Sequence, residues 1–233
     1  MKTDAHLVGS ERDVVAQQSE WTKRWDAGRI GFHQLEVNAQ LVQYWPELVP
    51  DVSASVVVPL CGKSHDMRWL HARGHKVVGV ELVEQACHAF FQEHGLDYEA
   101  VDARGHVRFC GRGTAEGITV LCGDAFSLTP DDIGPIDAWY DRAAVVALPP
   151  SFRAPYADWV AGLMRPGAVG FMLTFDYPQA EMMGPPYSVG VADVQGHFGT
   201  HFDMQLHETL DLTEGNRWTL SRVQKHVLSL NRR

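Results

Sequence analysis

The chain has few cysteines, no excess of basic residues and no long apolar run. Its four cysteines, at positions 61, 87, 110 and 122, include no C-x-x-C pair. That spacing argues against a disulfide framework and against a clustered structural zinc site. Lys and Arg number 20 against 29 Asp and Glu, which leaves a net charge of −9. Nucleic-acid binding draws most of its affinity from clustered Lys and Arg, so a nucleic acid is not expected as the partner. No stretch reaches the roughly 18 apolar residues of a membrane-spanning helix. The opening residues Met1 to His6 lack the apolar core of a signal peptide, and a cytoplasmic location is expected. Twelve histidines are many for 233 residues. His197, His201 and His207 have no H-E-x-x-H frame, however, and no metal site is predicted.

What is present is an alternation of strands and helices. Residues 1–15 are polar and aperiodic and read as a flexible tail. Trp21 and Trp25 share one face of a first helix from Gln17, ended by Gly28. A second helix is predicted to open at Gly31-Phe32-His33, to carry Leu35, Leu41, Val42 and Trp45 as its stripe, and to stop at Pro46. Residues 16–46 thus form a helical segment outside the sheet, and residues 55–233 the sheet core of the same single domain.

Ser55 to Leu60 is a short continuous apolar run, as a strand buried on both faces requires. Ser64 can cap the next helix, Asp66 favours its positive end, and Gly74 supplies the stop. Strands follow at Lys76–Glu81, Ile118–Cys122, Ile136–Tyr140 and Ala168–Phe175, with helices at Val83–His94 and Ala154–Met164. Leu96–Gly117, rich in glycine, reads as a hairpin excursion. In Asp203–Asp211, Met204, Leu206 and Leu210 alternate with polar residues, and a last strand is expected from Arg217 to about Leu230. The fold class is α/β: a doubly wound, mostly parallel, Rossmann-like seven-stranded sheet with an antiparallel C-terminal hairpin and an N-terminal helical lid.

In such a sheet ligands bind outside the carboxyl ends of the strands. The first strand delivers Leu60-Cys61-Gly62-Lys63, the second Glu81, the third Gly123-Asp124-Ala125 and the fourth Asp141-Arg142. An acid at Glu81 can accept both hydroxyl hydrogens of an adenosine ribose, which backbone amides cannot do; otherwise it is a surface acid capping the next helix. A dinucleotide needs G-x-G-x-x-G to cradle its pyrophosphate, and here only Gly62 is present. The loop suits an adenosine ligand without phosphates, of which S-adenosylmethionine is the common one. Asp124 can accept from the adenine amino group, or is an ordinary loop aspartate. Trp21, Trp25 and Phe32 can cover a sulfonium cation, since aromatic faces attract cations by roughly 0.5–2 kcal/mol when dry; otherwise they only glue a helix to the sheet. Cys61 sits where a helix start lowers thiol pKa. With no ordered His and Asn partners it is read as a packing residue. A nicotinamide oxidoreductase and a non-catalytic S-adenosylmethionine-binding protein remain as alternatives on this fold.

The series W-x-x-x-W-x-x-G-x-x-G-F-H (21–33), P-L-C-G-K-S (59–64), G-V-E (79–81), D-R-A-A-V-V-A-L (141–148) and G-P-P-Y (184–187) resembles the thiopurine S-methyltransferase family. The resemblance covers about Gln17 to the C-terminus and implies a class I S-adenosylmethionine-dependent methyltransferase; a monomer is expected. It implies that Trp25, Leu60, Glu81 and Arg142 contact the cofactor, with Gly62 in the same loop and Asp124 and Ala125 around the adenine. Phe32, Arg142, Pro186 and Tyr187 match positions near the acceptor, and Arg142 is the residue with a catalytic role. Bacterial members are linked to methylating selenium and tellurium species, so the acceptor class is a small thiol, selenium or tellurium compound, with thiopurines as surrogates in the second case. Methyl transfer of this kind is an in-line displacement without a covalent enzyme intermediate. Some relatives carry a second arginine beside the acceptor, where Gln205 stands here.

Overall fold

The computed structural model describes residues 11–103 and 105–233, with side chains from residue 18 onward. Residues 1–10 of the expected tail, and Arg104 of the excursion, lie outside the described residues. Among the described residues nine strands form one sheet: β1 (Ser55–Pro59), β2 (Lys76–Glu81), β3 (Tyr98–Ala103), β4 (His106–Gly111), β5 (Ile118–Cys122), β6 (Ile136–Asp141), β7 (Met164–Asp176), β8 (Phe202–Asp211) and β9 (Gln224–Arg232). Their order is β3-β4-β5-β2-β1-β6-β7-β9-β8. The five strands from β5 to β7 pair in parallel. β9 and β8 close one edge antiparallel, and the β3–β4 excursion extends the other edge antiparallel to β5.

Helices cover both faces: α1 (Glu11–Asp26), α2 (Ala39–Leu48), α3 (His65–Ala72), α4 (Glu84–Glu93), α5 (Pro130–Ile133), α6 (Ala144–Ala147), α7 (Pro150–Leu163) and α8 (Val191–Phe198). The unbroken Val56-Val57-Val58 run follows from this. Val56 and Val58 pack with Trp45 of α2, Leu70 of α3 and Phe90 of α4. Val57 points the other way, to Val145 of α6, Val160 of α7 and Phe198 of α8. A strand between two helical layers has no face left for polar side chains. The order reverses at β1, which pairs with β2 on one side and β6 on the other. The crevice beyond the carboxyl ends of these strands is where a doubly wound sheet holds its ligand.

The sheet has nine strands where seven are expected, because both strands of the excursion pair into its edge, and several boundaries also differ from the sequence expectation. The first helix starts at Glu11, so residues 11–15 are helical and not tail. Gly31 opens no helix; Asn38 caps α2, its Oδ1 accepting from the Gln40 and Leu41 amides at 3.0 and 3.1 Å. Leu35 is consequently 85% exposed and off any stripe. Pro46 lies inside α2, one turn from its end, and the Val49 amide still reaches Trp45 O at 2.8 Å. Arg165-Pro166-Gly167 does not separate helix from strand but forms a bulge in β7, with Ile136 facing Met164 and Ala138 facing Val169. A register shift between Leu206 and Glu208 breaks the alternation in β8, leaving Leu206 44% exposed. The last strand begins at Gln224, not Arg217.

Candidate functional site

The loop after β1 turns back on itself. Leu60 and Gly62 both have left-handed φ values, +48° and +54°. The turn presents the Gly62 amide to Glu81 Oε2 at 2.8 Å, and the Val83 amide reaches Glu81 Oε1 at 2.9 Å. Glu81 is 8% exposed. Burial pushes its carboxyl up, and the amides of Val83, Gly62 and Leu82 pull it back. A carboxylate has about four lone-pair sites, of which the Gly62 and Val83 hydrogen bonds fill two and leave the others open to a ligand. Under the turn, Cys61 Sγ lies 2.7 Å from where a Cβ on Gly79 would stand, which explains the glycine of G-V-E. Cys61 is buried, and burial raises its thiol far above the ordinary range, so it is a packing residue and no nucleophile.

Beyond β5, the Gly123 amide donates to Glu81 O at 2.8 Å. Asp124 Oδ1 accepts from the Phe126 amide at 3.1 Å, capping the single turn that holds Ala125. Burial raises the Asp124 carboxyl and this amide opposes it. β6 ends in two residues with different tasks. Asp141 is fully buried and accepts from the Ala144 and Val145 amides at 3.0 and 3.2 Å and from Tyr156 OH at 2.7 Å. Burial pushes its carboxyl up to about 6. Arg142 turns into the crevice. Its Nε lies 3.1 Å from Asp66 Oδ2, and one terminal nitrogen donates to the Phe32 carbonyl at 3.0 Å. Asp66 also accepts from Tyr140 OH at 2.9 Å and from the Asn38 amide at 2.8 Å.

Leu60, Glu81, Asp124 and Arg142 among these groups line one cavity of about 810 Å³. Trp21, Trp25 and Phe32 form its N-terminal wall, with Phe32 edge-on to both tryptophans at 5.8 and 5.9 Å. Leu60, Glu81, Asp124 and Ala125 line the strand ends, and Arg142 reaches from the end of β6 across to Phe32. Gly62 sits behind them: a Cβ there would stand 3.5 Å from Trp25 and 3.6 Å from Phe32. Pro186 lines the far side, whereas Tyr187 is not a wall residue. Tyr187 packs its ring over Gly184 and donates its amide to Val146 O at 2.6 Å. Gln205 is exposed on β8 and outside the cavity. Four cations that the sequence does not mark are in the wall, Arg24, Arg29, Arg217 and Lys225. Arg217 donates to the Gly31 carbonyl at 2.7 Å and lies 4.6 Å from the Trp218 ring centre. Among the described residues no three His, Cys, Asp or Glu side chains are grouped to hold a metal, and no helix is long and apolar enough to cross a membrane.

Sheet order, covering helices and an acid at the end of β2 beside the β1 loop define the class I S-adenosylmethionine-dependent methyltransferase fold. Solved structures agree. The chain superposes on magnesium protoporphyrin IX methyltransferase from Synechocystis, bound to S-adenosylhomocysteine, with TM-score 0.64 at 14% identity, covering 95% of this chain and 100% of that one. It superposes on 1,6-didemethyltoxoflavin-N1-methyltransferase from Burkholderia thailandensis with TM-score 0.63 at 15% identity, covering 98% and 92%. Within that class the chain belongs to the thiopurine S-methyltransferase family, which it matches over residues 16–233. It is 43% identical over 217 residues to the thiopurine S-methyltransferase of Pseudomonas fluorescens, covering 93% of this chain and 96% of the relative. It is 42% identical over 214 residues to that of Nitrosospira multiformis, covering 90% and 96%. The protein is therefore an S-adenosylmethionine-dependent methyltransferase. The site fits that cofactor: Glu81 keeps acceptor positions open, no glycine series is present to cradle a pyrophosphate, and the volume lies within the range of small-molecule sites.

Proposed function

We propose that the enzyme methylates a soft, anionic sulfur, selenium or tellurium acceptor by direct in-line displacement. The observation that carries this reading is Arg142, a guanidinium held by Asp66 and the Phe32 carbonyl in the wall of the same cavity as Glu81. S-Adenosylmethionine, when bound, supplies the electrophilic methyl group. The protein's own residues do the rest by position. Glu81 takes the ribose hydroxyls, Asp124 and Ala125 border the adenine, and Leu60 and Gly62 let the β1 loop come close. Trp25 offers an aromatic face to the positive end of the cofactor. Arg142 steadies the negative acceptor, and Phe32 and Pro186 bound it, with Tyr187 supporting Pro186 from behind. Heterocyclic thiols and selenols are already largely ionised near neutral pH, so no side chain has to take a proton. Alignment of this kind supplies about 7–11 kcal/mol of barrier lowering, and the aromatic N-terminal wall keeps water away.

The same reading makes the enzyme a cytoplasmic monomer. It is tested with labelled S-adenosylmethionine against 6-mercaptopurine, small thiols, selenite, tellurite and halides. Label transfer to the sulfur or selenium compounds supports the acceptor class. Transfer confined to a nitrogen or oxygen nucleophile in a wider panel overturns it.

A further inference from the structure

Lys225 is a half-buried cation of the cavity wall, whereas Arg29 and Arg217 of the same wall are exposed to solvent. Lys225 of β9 pairs with Phe175 of β7, and both line the cavity. Directly opposed residues of antiparallel strands project to the same face, which places the lysine over the ligand space. Its Nζ donates to Gln40 Oε1 at 2.7 Å. An ammonium has three donors, so two are left over. Among the described residues no carboxylate is in salt-bridge contact with it. Arg142, by contrast, is neutralised by Asp66 at 3.1 Å. Burial lowers the Lys225 pKa, the charge of Glu208 opposes this, and Arg142 adds to it. Glu208 itself accepts from Tyr44 OH at 3.3 Å. With Arg142 paired to Asp66, Lys225 leaves a partly desolvated positive charge in this wall that no ion pair compensates. Such a charge is costly until an anion meets it.

We propose that Lys225 is an anion-binding residue of the acceptor site, so that the enzyme selects acceptors presenting a thiolate or a carboxylate to it. The inference rests on the methyltransferase reading of the cavity and deepens it by naming a specificity residue. Its test is calorimetry on the intact protein and on Lys225→Met and Lys225→Arg. S-Adenosylhomocysteine is titrated first, then 2-mercaptobenzoate and its methyl ester into the complex. Lys225→Met is expected to weaken 2-mercaptobenzoate binding about tenfold or more, the size of one charge-assisted hydrogen bond. Lys225→Arg should retain most of the affinity, and S-adenosylhomocysteine should bind all three proteins equally. An effect on the acid alone seats the carboxylate at Lys225, and an equal effect on the ester seats the thiolate there. Unchanged binding of both probes in Lys225→Met overturns the inference, as does a parallel loss of S-adenosylhomocysteine affinity. If the intact protein binds S-adenosylhomocysteine but neither probe, the Lys225 inference falls while the methyltransferase reading stands. If it does not bind S-adenosylhomocysteine, the reading of the cavity falls, and the probes titrated into the free protein still decide Lys225.

Discussion

The two walls of the cavity are built by different means. At the strand ends, polar groups are tied by backbone amides of neighbouring loops: Gly62 and Val83 to Glu81, Gly123 to the Glu81 carbonyl, Phe126 to Asp124. The other wall is held by side chains that join distant parts of the chain. Arg142 to Phe32, Lys225 to Gln40 and Arg217 to Gly31 span 110, 185 and 186 residues. The parallel sheet fixes the first wall wherever the fold forms. The second exists only when residues 29–40 dock onto the end of β6 and the C-terminal hairpin, so it can change its chemistry without disturbing the first. Under the proposed function, the strand-end wall binds mainly the cofactor and the second wall sets acceptor choice.

The largest effect is expected from Glu81→Ala. Losing the ribose acceptor removes two charge-assisted hydrogen bonds of about 1.5–3 kcal/mol each, which is about a thousandfold in S-adenosylhomocysteine affinity by calorimetry. Undiminished heat would take Glu81 out of the cofactor site and erase the contrast between the walls. Arg142→Ala should lower kcat/KM by about tenfold or more, with cofactor affinity changed far less than by Glu81→Ala. An unchanged kcat/KM would remove Arg142 from the mechanism. Asp66→Asn sharpens the same point, because it leaves Arg142 in place and removes the charge that aims it. It should reduce kcat/KM by less than Arg142→Ala and leave S-adenosylhomocysteine binding intact. A loss of cofactor binding in Asp66→Asn would mean that the two walls are not separable.

The same division governs what the sequence reveals. The first wall is local. Ser64 caps α3, accepting from the Asp66 amide at 3.2 Å, and Glu81 and Asp124 follow directly on apolar runs whose pattern marks a buried strand. Strand identity and strand end are therefore legible together. The second wall is not, because its contacts depend on tertiary docking. In the sequence Asp66 stands only as a helix-start acid, yet its carboxylate gathers Arg142, Tyr140 and Asn38. The pattern of residues 217–223 predicts strand. They are instead a loop in which the Asn216 side chain donates to the Thr213 and Leu220 carbonyls, while Leu220 and Val223 pack with Tyr177. One signal was available for Lys225: it stands in period-two phase with Val223 and Val227, both buried. A lysine in phase with buried valines faces inward, and an inward lysine needs a ligand or a partner.

Asp141 and Arg142 are adjacent in sequence, but Asp141 is buried beneath the strand end while Arg142 lines the cavity, and a pair of variants should pull their roles apart. Asp141 closes the sheet end, and burial raises its carboxyl to about 6. An unfolded Asp titrates near 3.9. Between about pH 4 and pH 6 the folded protein therefore holds a proton that the unfolded chain has released. Stability from this group is fullest below about pH 4, declines as pH rises through 6, and is flat above that. Asparagine cannot ionise. In Asp141→Asn the carbonyl oxygen can still accept from the Ala144 and Val145 amides, and Tyr156 OH can rotate to meet the amide nitrogen. The difference in urea midpoint, variant minus parent, should thus grow from pH 4 to about pH 6.5 and then level. A difference independent of pH would show that the carboxyl is not raised. A kcat/KM loss as large as that of Arg142→Ala would show that the strand end and the acceptor wall act as one unit.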